Sequence, residues 1–371
     1  MRQRSSFHLQ TKKMGLAKRV NAQLDLFDHG VLVHGVTANL LCIRHAPKAR
    51  CMMRQTTYSQ EWSAYNQAQV NEKSQFQSLL YELCQNLVEP IQHMGRPRVP
   101  LADRIYAAVF KTYSTVSCRR FMSDLQEATR RGYLSMMPHY NSIFRYLESE
   151  ELTAYLRQLI IESSLPLKCV EFDFAVDSSG FCTGQYGQWL TAKYGAAKIV
   201  NKENWLKVHL MCGVKTNIVT SVEVTSRNAG DSPQFAPLVE QTSRNFVMNQ
   251  VSADKAYSSS KNLSLVLVKG AQPFIAFRNN ANATGKQQSA VWKRMFHLYQ
   301  YNQDEFMRHY HKRSNVETTF SMIKAKFGER LRSKSHTAQV NEVLCKILCH
   351  NLCCVVQSIY ELGIEPTFLA E

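Results

Sequence analysis

The chain has 371 residues, of which 44% are hydrophobic and 20% charged, and a formal net charge of +16. That length and apolar content exclude a disordered polymer and predict two domains plus a tail. Eleven cysteines, an odd number, argue against a disulfide framework and for a reducing, cytoplasmic compartment. No window of about 18 apolar residues is found, so no membrane span is expected. The basic excess is uneven: residues 1–60 hold ten Lys and Arg against two Asp and Glu, and residues 281–340 hold eleven against four. The partner that suits such a surface is a polyanion, most simply nucleic acid.

In chain order, residues 1–55 show no sustained period and read as a basic, poorly ordered extension, with Met52 or Met53 as an alternative start. Residues 56–164 read as a small all-α domain. Phe76, Leu79, Leu80 and Leu83 form a helical stripe, and GRPRVP at 95–100 interrupts it. Two short helices follow, the second opened by Ser114 or Thr115 and stopped at Gly132, and then one helix over about 141–163. Arg119, Arg120, Arg130 and Arg131 lie on the second short helix. The pair resembles a helix-turn-helix whose second helix would enter a major groove; an ordinary bundle with a basic surface is the alternative.

At Leu165-Pro166 the pattern turns from helical to strand-rich, which places a domain boundary there and a second domain over 165–335. In VEFDFAVDSSGF, Val170, Phe172, Phe174 and Val176 alternate with Glu171, Asp173, Ala175 and Asp177, the period of a half-buried strand. WLKVHLMCGV and IVTSVEVTS read as its antiparallel neighbours. A helix opened by Ser232-Pro233, a strand ending at Asp254, a short helix and the strand QPFIAFRN complete the order β-β-β-α-β-α-β-α. This predicts an α/β fold with a mixed five-stranded sheet and helices on its faces, the element order of the ribonuclease-H-like fold. Residues 336–371 form a C-terminal helix. Its Cys345, Cys349, Cys353 and Cys354 beside His350 suggest either a metal cluster or a buried face; flanking Leu344, Leu348 and Leu352 favour the buried face.

The stretch HYHKRSNVETTFSMIKAKFGERLRSK, 309–334, predicts one helix on which Tyr310, Arg313, Glu317 and Lys324 share roughly a 60° arc. A carboxylate flanked by two cations and a phenol suits a site that holds a divalent metal and a phosphodiester together. Asp177 is expected at or just past the end of the first strand, with Asp254 at the end of its spatial neighbour and Glu317 reaching in from the helix. Three such carboxylates can hold two divalent ions about 4 Å apart for in-line phosphoryl transfer, and oxygen ligands select Mg²⁺, with Mn²⁺ able to substitute. Asp173 is a rival on the same strand face, set back roughly 7 Å from the sheet end.

DSSGF at Asp177, ADKAY at Asp254 and Y-x2-R-x3-E-x6-K from Tyr310 to Lys324 together resemble the DDE transposases of bacterial insertion sequences, in the branch with a Tyr-Arg-Glu-Lys signature. The resemblance runs from about residue 60 to the C-terminus. It implies an enzyme that binds terminal inverted repeats of double-stranded DNA, cleaves there with Mg²⁺ and joins the 3′-hydroxyl to target DNA, acting as a homodimer on DNA. It also implies Asp177, Asp254 and Glu317 as catalytic and metal-binding residues, with Tyr310, Arg313 and Lys324 on phosphates near the cut. Some members carry a β-rich insertion before the glutamate helix, with a tryptophan that stacks on a flipped base. Only 280–312 is left for a compact version here, and Trp292 within it is either that stacking residue or a core anchor.

Overall fold

The alternating run that begins at Val170 becomes β1 (Asp173–Cys182) in a computed structural model that describes residues 61–92, 94–95, 97–183, 205–282 and 288–368. The basic extension therefore lies outside the described residues. Four further strands follow: β2 (Trp205–Gly213), β3 (Val219–Thr225), β4 (Gln250–Ala253) and β5 (Gln272–Ile275). Their spatial order is β3-β2-β1-β4-β5, with β1, β2 and β3 antiparallel and β4 and β5 parallel to β1. An antiparallel meander extended by parallel strands through helical crossovers is the ribonuclease-H-like sheet.

Each face of the sheet buries its own core. Phe174 and Val176 of β1 belong to one cluster with Phe235, Val251, Phe274 and Phe306. Ala175 and Phe181 belong to the other, with Leu210, Phe320, Leu344 and Leu348. The two-residue period of β1 thus decides which core each side chain joins. The first face is covered by α6 (Ser232–Ser243), α7 (Ser260–Val268), α8 (Ala290–Tyr301) and α9 (Gln303–Tyr310). The second carries α10 (Ser314–Phe327) and α11 (His336–Leu362).

The helical N-terminal part comprises α1 (Trp62–Gln85), α2 (Leu101–Ser114), α3 (Cys118–Arg130), α4 (Tyr140–Leu147) and α5 (Glu150–Ser164). Two expectations are corrected. Ser117, rather than Ser114 or Thr115, stands at the N-terminus of α3, while Thr115 closes α2 in the left-handed region at φ 56°. The single helix expected over 141–163 breaks between α4 and α5, and Asn341 of α11 donates to the carbonyls of Leu147 and Ser149 at 2.8 and 2.9 Å. A side chain from a distant helix satisfies carbonyls that would otherwise be left without partners at the break.

The change of character at Leu165-Pro166 is a change of secondary structure within one core. Phe76, Phe110 and Leu159 belong to the same cluster as Ala175 and Leu210 of the sheet. Helix α11 makes the join, packing on α1, α2 and α5 and on β3. It is long and apolar enough by composition to cross a membrane, yet its leucines, valines and cysteines fill this core. Cys345, Cys349 and Cys354 are buried free thiols, so the buried-face reading of the cysteine cluster describes their place. His350 turns Nε2 to the carbonyl of Asn217 at 2.9 Å.

Asn351 of α11 is the polar counterpart of this join. Its Oδ1 accepts from the Val219 N–H at 2.9 Å, and its Nδ2 faces the carbonyls of Val219 and Ile160 and the Ser163 hydroxyl at 2.7, 3.1 and 3.0 Å. Replacing it by leucine leaves several buried polar groups without partners. Asn351→Leu is therefore expected to lose about 2–4 kcal/mol in a denaturant titration; a loss of about 0.5 kcal/mol or less would contradict this role.

Burial also holds the His350 imidazole down, at about 4 instead of 6.5, although its bond to Asn217 pulls upward. The unfolded chain takes up this proton near 6.5 and the folded one only near 4. His350 therefore contributes stability above pH 6.5 that is lost as pH falls toward 4. Denaturant midpoints at pH 7.5 and 5.5 are expected to differ more in the parent than in His350→Gln; equal pH dependence would contradict the assignment.

Candidate active site

Asp177 lies in the middle of β1, not at its end as expected. β1 continues past it because residues up to Cys182 still pair with β2. The parallel partner β4 is short, and Val176 opposite Ala253 is the last pair between them. Asp254 is the next residue, where the chain leaves β4 for a 3₁₀ turn over Lys255–Tyr257. The two acids thus share the carboxyl end of β4, and the sheet register alone places them there.

The third acid arrives differently from the single predicted helix. α9 ends at Tyr310, residues His311–Arg313 form a 3₁₀ turn, and α10 begins at Ser314. That turn lies against β1 and β4, and its tighter winding turns neighbouring side chains to separate acids of β1. Lys312 Nζ meets Asp173 at 2.8 Å, and Arg313 meets Asp177 at 2.6 Å. Arg313 also grips Glu317, one turn further on, at 2.5 Å. One guanidinium therefore bridges two of the three predicted acids, and the rival Asp173 has its own cation.

The remaining signature residues fall around this bridge. The Tyr310 ring lies 5.9 Å from the Arg313 guanidinium, and partial burial holds its phenol protonated by raising it above its ordinary value. Lys324 Nζ reaches the Ser179 hydroxyl at 3.0 Å, two residues along β1 from Asp177, and Glu329 at 3.4 Å. Arg313 and Lys324 thus reach β1 directly, and Tyr310 and Glu317 lie beside Arg313, despite the interruption of the helix.

Burial raises the Asp177 carboxyl above the usual range; the Ser178 N–H and Arg313 pull it down, while Asp254 and Glu317 push it further up. Asp177 therefore feels each of the other two acids as a like charge. Burial would lower Arg313, but Asp177, Tyr310 and Glu317 carry it above its ordinary value. An all-carboxylate donor set of this kind suits a hard divalent cation. As the side chains stand, with Arg313 between two of the acids, no three His, Cys, Asp or Glu among the described residues are grouped closely enough to hold a metal.

Behind Asp177, on the other face of β1, lies a polar network that the sequence reading missed. Asp231 accepts from the Ser178 hydroxyl at 2.9 Å and pairs with Lys207 at 2.7 Å. His209, fully buried, turns Nδ1 toward the same carboxylate at 3.5 Å. The signal available was Asp231 itself, an acid placed just before Ser232-Pro233 at a helix start. The Ser178 N–H donates to Asp177 Oδ1 at 2.8 Å, so the network and the acid share one residue of β1.

Arg119 and Arg120 are exposed on α3, with Arg119 lying over the Tyr140 ring at 5.2 Å. They stand apart from the acids, on the helical layer. Trp292 sits in the core on α8. It is 8% exposed, its Nε1 donates to the Asn282 carbonyl at 2.9 Å, and it meets Phe277 edge-on. Stacking on a flipped base would require the indole to leave that packing. Among the described residues of this short region, α8 and α9 take the place in which a compact version of the β-rich insertion had room: Ser289 caps α8 by accepting from Trp292 N–H, and Val291, Trp292 and Met295 form its buried stripe.

The family model for the transposase DDE domain matches residues 173–352, from the start of β1 through most of α11. The probable transposase for insertion sequence element ISA1214 of Archaeoglobus fulgidus is 25% identical over 264 residues, covering 70% of this chain and 77% of that protein. A cryo-EM structure of the piggyBac transposase synaptic complex with hairpin DNA aligns with 79% of this chain and 73% of its own at 11% identity and a TM-score of 0.37. The matched domain and the insertion-sequence relative support a likeness of this chain to the DDE transposases of insertion sequences.

Proposed function

We propose that this chain is a transposase that binds the terminal inverted repeats of a mobile element, cleaves the DNA at its ends and joins the resulting 3′-hydroxyl to target DNA. Asp177, Asp254 and Glu317 are the catalytic carboxylates and the ligands for two Mg²⁺ ions, for which Mn²⁺ can substitute. The observation that carries this reading is that the sheet register sets Asp177 beside Asp254 at the carboxyl end of β4 while Arg313 ties Glu317 to Asp177. Bound there, divalent metal would supply the Lewis acidity that offsets charge on the attacking and leaving oxygens.

The chain's own residues do the rest. Tyr310, Arg313 and Lys324 line the approach to the acids and hold phosphate oxygens, the guanidinium in a bidentate grip and the ammonium as a point charge. The Tyr310 phenol, kept protonated, donates a hydrogen bond. Arg119 and Arg120 on exposed α3 contact the duplex away from the cut. Joining two ends requires two active sites, so the working form is a homodimer on DNA.

In an assay with Mg²⁺ and a labelled duplex carrying the element's ends, the parent is expected to cleave and join. Asp177→Ala, Asp254→Ala and Glu317→Ala are each expected to lose at least about 10³-fold in rate while retaining DNA binding. Cleavage that survives in Asp177→Ala would overturn the assignment. Binding without cleavage by the parent would return the alternative, a catalytically silent DNA-binding descendant.

A further inference from the structure

Arg313 has more to do than hold a phosphate. Its guanidinium donates through one terminal nitrogen to Asp177 Oδ2 at 2.6 Å and through the other to Glu317 Oε1 at 2.5 Å. It is mostly buried there, with a fifth of the side chain exposed. A cation in that position occupies lone pairs that metal ions would need, and it supplies the positive charge that lets two acids stand close together. The same arrangement explains why no three-donor group is formed as the side chains stand.

We infer that Arg313 is an internal counter-cation that keeps the metal site closed until a phosphodiester draws it away, so that DNA and divalent metal bind cooperatively. The inference rests on the proposed reading of Asp177, Asp254 and Glu317 as metal ligands. Its physical basis is competition between anions for one guanidinium. A DNA phosphate offers two oxygens to the two terminal nitrogens that Asp177 and Glu317 now occupy singly. When Arg313 turns to it, Asp177 and Glu317 are left as close like charges without a counter-ion, and divalent cation becomes the favourable replacement. Linkage makes the effect reciprocal: whatever factor DNA adds to metal affinity, metal adds to DNA affinity.

The geometry separates this role from that of the neighbouring cations. Lys312 pairs with Asp173 and leaves Asp177 alone. Lys324 pairs with Glu329 and donates to Ser179, a neutral group. Of these three cations, Arg313 is the one that touches two proposed ligands at once. Its place in the short 3₁₀ turn between α9 and α10 puts it on a joint of the chain, within reach of both the acids and the ring of Tyr310.

Mn²⁺ binding, read from the electron paramagnetic resonance of the free ion, tests this without any turnover. In the absence of DNA, Arg313→Gln is expected to bind Mn²⁺ about tenfold more tightly than the parent, and Arg313→Lys, which keeps the charge but not the bridge, to fall between them. Adding a duplex from the element's ends is expected to tighten Mn²⁺ binding to the parent by a similar factor and to leave Arg313→Gln nearly unchanged. Equal Mn²⁺ affinity of parent and both Arg313 variants without DNA would overturn the inference. Asp177→Asn and Glu317→Gln in the same titration test the underlying reading separately. If neither weakens Mn²⁺ binding to Arg313→Gln, the ligand assignment itself fails; if both do while Arg313 has no effect, the closure alone fails.

Discussion

Asp177 and Asp254 meet at the carboxyl end of β4, and Glu317 is joined to Asp177 through one guanidinium, so like charges stand near one another with a cation between two of them. In this protein the cation in place is Arg313, which grips Asp177 and Glu317 together. Burial sharpens the constraint: a carboxyl as enclosed as that of Asp177 is costly to ionise without a partner. The sheet supplies two of the acids by register and α10 supplies the third.

Much of this was legible in the residues. The alternation around Asp173 and Asp177, the apolar runs after it and the strand ending at Asp254 gave the sheet and its element order, although β1 is covered on both faces where a half-buried strand was expected. The Tyr310, Arg313, Glu317 and Lys324 spacing pointed to a shared site. What could not be seen was how that sharing is achieved. A helical period cannot reveal that the chain tightens into a 3₁₀ turn at His311–Arg313, since the turn is stabilised by its contacts with β1 and β4. Nor could it show that Asp177 sits in mid-strand, because the length of β1 is set by its pairing with β2 rather than by its own residues.

The division of the chain into domains was the less legible part. The shift from helical to strand-rich sequence at Leu165-Pro166 is real, but α11 returns from the far end of the chain and packs on both halves. Only long-range contacts, such as those of Asn341 and Asn351 with carbonyls of the N-terminal helices, make the helical layer and the sheet one core. Trp292 shows the same lesson on a smaller scale. The residues left it open between a stacking residue and a core anchor, and its stripe with Val291 and Met295 turned it inward.

The central claim is that Asp177, Asp254 and Glu317 jointly hold metal once Arg313 has been drawn to DNA. Anomalous diffraction from crystals of the protein bound to its element ends in Mn²⁺ measures this directly. The account predicts manganese peaks within ligand distance of all three carboxylates, with the Arg313 guanidinium on a phosphate. Crystals with ordered DNA in which Arg313 still joins Asp177 to Glu317, and in which manganese is absent from between the acids, would contradict it.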